Sequence, residues 1–535
     1  MGSAPTAPLA GYIDTGLSHL LDHLCCRSCH CLPAEAQHHA GASSRCGYGL
    51  RQVLFSFQQR LINSRLILFH TAKLDAVSKL VGKLTKDMGS LSMAPKGRRD
   101  RNHALEELKI YGRDPRNADP IFTKEGISML LAYAFNDKAP SETSRGALRV
   151  LANSMVLKPE TRQMFVNSGY ATKACKRLDT DSWDDEFLLS RILFLSTYSD
   201  DKIKLSPLIK EHGLATSINA NIGRHAKLKT ASSLAAAGPM EEMALPETLK
   251  LLYNVTYFCP EEASAFEPSV PQIISILCDR KLPSSKVLNP PFGPLVNSLL
   301  YLDLAVKTSH SALFPSGEET KLGSKLIEIL DRAMKEYSSQ DLDATVTPVV
   351  KFLLEVYNLG SESVQKKLRD GLLPTSEDRQ SVLGKGSSLS ARLLKTSTDP
   401  LAPNLGPVIS HLFFLMSNND ASKFVENVGY GYASGYLFRN NVPMPASAKV
   451  TFDATDEGGS QRPVNPITGQ FIDREERDDL PPMTEEEKER EAERLFVLFE
   501  RLKKNGVLSV QNPVEQAARE GKLRELRDDE VEELD

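Results

Sequence analysis

The residues of this chain that could do chemistry by type and spacing fall in three places, and none of them assembles a catalytic set. Near the N-terminus, Cys26-x-x-Cys29 stands close to His19, His23, His30 and Cys31. Thiolates and imidazoles so grouped are zinc ligands, but the second ligand pair at the usual spacing is missing. The same tail begins Met1-Gly2-Ser3-Ala4-Pro5-Thr6, the loose pattern for N-myristoylation, with cysteines nearby to take a second acyl chain. The plainer reading of both features, and the one preferred, is an unmodified and poorly ordered tail. The second place is a pair of glycine-rich stretches. Gly384-Lys385-Gly386-Ser387 lacks the upstream glycine of a phosphate loop and has glycine directly after the lysine, while Gly429-x-Gly431 with Gly435 follows no strand. The one reads as a flexible loop and the other as helix-end packing. With no H-E-x-x-H or G-x-S-x-G either, the expectation is a non-enzyme with no metal and no cofactor.

The third place is a recurring polar pair. Leu108-Lys109-x-x-x-Arg113, Leu148-Arg149-x-x-x-Asn153 and Leu249-Lys250-x-x-x-Asn254 each set a basic residue four positions before another polar one inside an apolar run. Positions four apart share one face of a helix. Any one pair reads as a solvated face or a cap, but recurrence favours a shared role. Lys109, Arg149 and Arg191 follow one another at about forty residues, the period of armadillo and HEAT repeats. In such an array the last helix of each repeat lines one groove, so equivalent positions form a ladder. Asparagines there hydrogen-bond the backbone of a bound peptide and the cations pair with its carboxylates. Asn297, in PLVNSLL, continues the ladder.

The elements that must carry this ladder are legible from patterning. From about residue 52 to 440 the chain is a succession of apolar runs at helical spacing, among them GALRVLANSMV, FLLSRILFLSTY, ETLKLLYNVTYF and VVKFLLEVYNLG. Strand alternation is nearly absent, and X-Pro steps at Asp114, Lys158, Cys259 and Asp399 close the runs. The fold class expected is therefore all-α, an armadillo/HEAT-like helical solenoid. A chain of 535 residues outgrows one compact core but suits an array that lengthens by repeats. With 41% apolar and 25% charged residues it can bury a large core, and a net charge of −4 argues against nucleic acid as the main partner. No apolar stretch is long enough to span a bilayer and no secretory signal is evident, so the expected compartment is the cytoplasm. Residues 1–51 hold five of the eight cysteines and read as a disordered Cys/His-rich extension. Residues 441–482, rich in Pro, Gly and Asp, read as a linker. Thr484 with Glu487 forms a capping box that opens an amphipathic helix over 483–508, apolar at Leu495, Phe496, Leu498, Phe499 and Leu502, and 509–535 is an acidic tail.

Taken in order, LKIYGRDP, ALRVLANS, LKLLYNVT, KFVENVGYGYASGYLF, NPITGQ and MTEEEKEREAERLFVLFERLKKNGVL resemble the synembryn family. The resemblance spans roughly residues 74–510 and is strongest in the C-terminal third. It implies a non-receptor guanine nucleotide exchange factor and folding chaperone for heterotrimeric G-protein α subunits. The partner is then a GDP-bound, nascent or nucleotide-free α subunit whose C-terminal helix enters the groove. Lys109, Arg113 and Asn153 fall on family positions expected to meet that tail. An arginine is common at the first, and lysine keeps the charge without the planar fork. Arg149, Lys250, Asn254 and Asn297 extend the set by the ladder alone, and Leu495, Phe496 and Phe499 would let the last helix embrace the bound partner. Peripheral association with the plasma membrane would follow from such a partner. The alternative is an armadillo scaffold or transport adaptor that holds a linear peptide in the same groove.

Overall fold

A computed structural model describes residues 72–88, 95–136, 141–445, 451–455, 459, 461–475 and the single positions 484, 490 and 494. The expected extension over 1–51, the start of the array over 52–71 and the acidic tail lie outside the described residues. Residues up to Arg474 form one unit, and Glu475–Asp535 belong to a second. The first unit is an all-α, armadillo-like solenoid.

Its front layer is seven helices, each packed on the next: α1 Pro95–Tyr111, α2 Ser141–Leu157, α3 Trp183–Ser196, α4 Pro239–Phe258, α5 Phe292–Leu299, α6 Ser339–Leu359 and α7 Leu405–Met416. Behind them lie Lys124–Ala134, Ala171–Leu178, Leu214–Ala226, Ser269–Asp279, Lys321–Glu336 and Leu389–Ser397, each packed on a front helix. Between the layers one apolar core runs without interruption from Val77 to Leu437. The pattern within a front helix explains why it sits there. In α2, Ala147, Leu148, Val150, Leu151, Ala152 and Met155 are buried, leaving Arg149 and Asn153 on the one stripe the core does not need.

Helix starts follow from local chemistry. Ser182 caps α3 by accepting from the Asp185 amide, and Asp184, Asp185 and Glu186 place negative charge at the positive end of the helix dipole. Ser338 caps α6 in the same way through the Asp341 amide. The two longest front helices each contain a proline, Pro246 in α4 and Pro348 in α6, which removes the donor for the carbonyl four residues earlier.

Part of the stretch expected to be a linker is folded. Phe452–Thr455 (β1) pairs antiparallel with Gln461–Val464 (β2), Phe452 opposite Val464, and Phe471 bridges back to Val464. Val464 and Phe471 are fully buried. Backbone bonds tie this segment to the last repeat: Tyr430 N donates to Pro466 O at 2.7 Å, and Leu383 N donates to Thr468 O at 3.2 Å. Composition suggests a linker because proline and glycine are frequent in both linkers and tight turns.

Candidate functional site

The uncovered stripes of α2 to α5 join into one continuous face. Arg149 of α2 donates to Asp184 of α3 at 2.7 Å. Arg191 of α3 reaches Glu247 of α4 at 3.2 Å, and Lys250 of α4 reaches the same carboxylate oxygen at 2.6 Å. Lys250 also lies over the Phe194 ring, 5.2 Å from its centroid, and Arg191 lies 5.7 Å over Phe187. Farther along, Tyr198, just beyond α3, meets Phe258 of α4 edge-on at 6.3 Å, while Tyr253 and Tyr257 of α4 stack and both meet Tyr301, just beyond α5, at 5.3 and 5.2 Å. The face thus alternates cations, amides and half-exposed rings. Aromatic and arginine side chains with a polar rim are the composition of binding hot spots.

Of the residues expected in the groove, Arg149 and Lys250 lie on this face, and Asn153 sits one turn on from Arg149 with no side-chain hydrogen-bond partner among the described residues. Asn297 is half-buried on α5, one turn before Tyr301. Lys109 pairs with Glu106 on its own helix. Arg113 is exposed but is not helical: α1 ends at Tyr111, and Arg113 lies in the turn that follows, its amide donating to Ile110 O at 3.3 Å. Asn254 departs furthest from expectation. It is buried, its Nδ2 donates to Thr197 Oγ1 at 2.7 Å and its Oδ1 accepts from the Tyr198 hydroxyl at 3.3 Å. Both ends of the amide are engaged inside the protein, so Asn254 ties α4 to the end of α3 and offers nothing to a ligand. Asn254→Ala should lower unfolding free energy by about 1–3 kcal/mol, the cost of stranding a buried donor and acceptor, while partner affinity per folded molecule stays unchanged. Urea unfolding together with a titration corrected for folded fraction checks both. Leu495, Phe496 and Phe499 lie outside the described residues.

Sequence reasoning missed the rings on this face. Phe187 and Phe194 of α3 and Tyr198 just past its end recur at seven and then four positions, with Arg191 between the first two. That is the same stripe the ladder follows, so a signal is present, but apolar rings at helical spacing read equally well as core.

The face is held from behind by a buried charge network. Glu186 of α3, His225 and Glu241 of α4 are fully buried. His225 Nδ1 lies 2.6 Å from Glu241 and Nε2 lies 3.0 Å from Glu186. Thr248 of α4 donates to Glu186 at 2.6 Å, Arg280 to Glu241 at 2.5 Å, and Arg224 pairs with Glu186 while stacking 3.8 Å over Trp183. Burial alone would lower the His225 pKa, but its bonds to the two carboxylates prevail and raise it. Burial would raise Glu186 and Glu241, and their bonds to His225 outweigh that and lower both. The imidazolium therefore clamps α3 to α4. No activated thiol stands near among the described residues: burial pushes Cys175 up to about 12, and burial with the Glu261 contact does the same to Cys259.

At the far end of the array a second built feature unites two sequence motifs. Arg379 is buried, and its guanidinium donates to Gly469 O at 2.9 Å, Glu426 O at 2.7 Å and Asn427 O at 3.2 Å. These carbonyls belong to NPITGQ and KFVENVGYGY, so the two stretches that carried the resemblance are packed together by one side chain. Gly429 has φ +79°, and a Cβ there would sit 2.9 Å from Ile467 O, which is why glycine opens the last helix, Tyr430–Arg439. A family model described as guanine nucleotide exchange factor synembryn matches residues 104–522. The chain belongs to the synembryn family.

Curated relatives agree at low identity. A synembryn-like chaperone of Schizosaccharomyces pombe is 25% identical over 427 residues, covering 71% of this chain and 76% of the relative. The protein called Chaperone Ric-8A is 23% identical in Xenopus tropicalis and 24% in Gallus gallus, each over 443 residues, 76% of this chain and 81% of the relative. The synembryn match thus takes in α2 to α7, the Arg379 anchor and the segment that follows it. Among the described residues of this synembryn chain, no helix is long and apolar enough to cross a membrane.

Proposed function

We propose that the chain is a guanine nucleotide exchange factor and folding chaperone for heterotrimeric G-protein α subunits, and that the face of α2 to α5 grips the C-terminal helix of the α subunit. The observation that carries the reading is the continuity of that face: cations, free amide and rings follow one another over four helices. A helical ligand can lay its apolar side on the rings while its polar groups meet Asn153 and the cations. Synembryn membership supplies the partner class, since exchange factors of this family and relatives named as chaperones share most of the chain's length.

The mechanism is differential binding. A factor that holds the nucleotide-free α subunit more tightly than the GDP-bound one weakens GDP affinity by the same factor, as linkage requires. No bond in the nucleotide is made or broken. The same grip on a nascent α subunit stabilises its folded form by mass action. This role places the chain in the cytoplasm and, with its partner, at the plasma membrane.

The deciding experiment is GDP release from an α subunit. The wild-type chain should accelerate release and form a stable nucleotide-free complex. Arg149→Ala and Asn153→Ala should each cost about 1–2 kcal/mol of binding, a slowing of roughly five- to thirtyfold at limiting concentration, with unchanged Tm. Absence of both acceleration and complex with every α subunit tried would end the proposal. If an α subunit trimmed of its C-terminal helix bound as well as the intact one, the scaffold reading would take its place.

A further inference from the structure

We infer that the centre of this face holds a carboxylate-recognition subsite, built from Arg191 and Lys250 and positioned by Glu247, which selects partner helices bearing an acidic residue beside apolar ones. This inference rests on the groove reading above and specifies which ligand chemistry that groove prefers.

Glu247 is buried, and its Oε1 takes both cations, Lys250 at 2.6 Å and Arg191 at 3.2 Å. Its Oε2 is buried with no hydrogen-bond partner among the described residues. One carboxylate between two cations leaves one unit of positive charge uncompensated. Neither cation has a second carboxylate among the described residues, and Asp184 in the first turn of α3 is engaged by Arg149 at 2.7 Å. An arginine carries five N–H donors and an ammonium three, so most of their donors remain unused after Glu247 is served.

The surroundings define what compensates that charge. Arg191 stands over Phe187 and Lys250 over Phe194, so each cation is flanked by a half-exposed ring rather than by water alone. A carboxylate entering here gains charge-assisted hydrogen bonds in partly desolvated surroundings, and apolar neighbours on its own helix land on the rings. A lysine at the same place would meet like charge. Glu247 acts through the cations: being buried and fixed, it holds two long side chains in place before the ligand arrives.

The test uses two synthetic peptides that span the last helix of an α subunit, one with its acidic residues and one with each replaced by the corresponding amide, titrated by fluorescence anisotropy. The wild-type chain should prefer the acidic peptide by roughly tenfold. Arg191→Gln combined with Lys250→Gln should reduce that preference to within about twofold, and the slope of affinity against salt should flatten. Glu247→Asp keeps the charge but withdraws it by one methylene. It should shrink the acid-over-amide preference, whereas a merely structural residue would weaken both peptides equally. If both peptides bind the wild type equally well, or if the preference survives in the double variant, the subsite is wrong while the groove stands. If neither peptide binds, groove and subsite fall together. Asn153→Ala serves as the control, since it should weaken both peptides alike.

Discussion

Replacing His225 with alanine should destabilise the repeat unit by about 3–5 kcal/mol, the largest loss expected from any single substitution behind the docking face. The magnitude follows from what is left behind. Glu186 and Glu241 are fully buried, and each meets a ring nitrogen of His225, at 3.0 and 2.6 Å. Without the imidazolium, two buried carboxylates keep, among the described residues, only Arg224, Arg280 and the Thr248 hydroxyl between them. His225→Gln, able to donate to one carboxylate but not both, should lie between wild type and alanine. Urea unfolding monitored by far-UV circular dichroism measures all three.

The network also sets the pH dependence. His225 has its pKa raised in the folded state, so its contribution is fully present below the ordinary value of 6.5 and disappears as pH rises through the folded value. Glu186 and Glu241 have theirs lowered, so their contribution is present above the ordinary 4.5 and disappears as pH falls through the folded values. Stability from this cluster is therefore greatest in the window from 4.5 to 6.5 and declines on the alkaline side. In His225→Gln the alkaline decline should flatten. A variant with the wild-type slope above neutral pH would show that His225 is not the group responsible.

How much of this is visible in the sequence depends on the range of each contact. The front helices are legible because their apolar periodicity is local, and Arg149, Asn153 and Lys250 are found because each lies on the stripe that periodicity leaves free. Asn254 has the same spacing as Asn153, yet it is buried. Its partners Thr197 and Tyr198 come from the turn that ends a helix more than fifty residues earlier, and one helical face cannot reveal how far a neighbour leans over it. Counting fours places Arg113 on the face, but Gly112 and Asp114-Pro115 end α1 first. The His225 cluster gathers residues from α3, from α4, from the helix Leu214–Ala226 and from Arg280, and Arg379 meets a carbonyl 90 residues away. Neither leaves a periodic trace. NPITGQ is recognisable as part of a family pattern and still reads as linker. Its Asn465 side chain accepts from the Ile467 amide at 2.8 Å and its Gly469 adopts φ +69°, the chemistry of a tight turn that looks identical, as composition, to a flexible one.

That turn yields the second large effect. Arg379→Met should release the 451–474 segment from the last repeat while leaving the docking face intact. The guanidinium supplies donors to three carbonyls on two chain segments, and the Arg379 backbone carbonyl accepts from Phe471 N at 2.9 Å. Burial lowers its pKa to about 10, so the side chain remains a cation at neutral pH and its bonds are charge-assisted. Methionine fills similar volume but strands those carbonyls, at about 1–3 kcal/mol each, more than a short hairpin with two buried apolar side chains can offset. The expected result is rapid chymotryptic cleavage after Phe471, fully buried while the segment is held, with little change in the melting of the repeats or in affinity for a tail peptide. Gly469→Ala should do the same by a different route. Its φ of +69° disfavours any side chain, and the new Cβ would lie 2.3 Å from Leu383 Cδ1. Two substitutions, one removing hydrogen bonds and the other introducing a clash, converge on a single local outcome only if the segment is held at this turn. Cleavage accompanied by loss of the whole array would instead mean that the turn is integral to the last repeat, and that the repeat unit ends at Arg474 and not at residue 440.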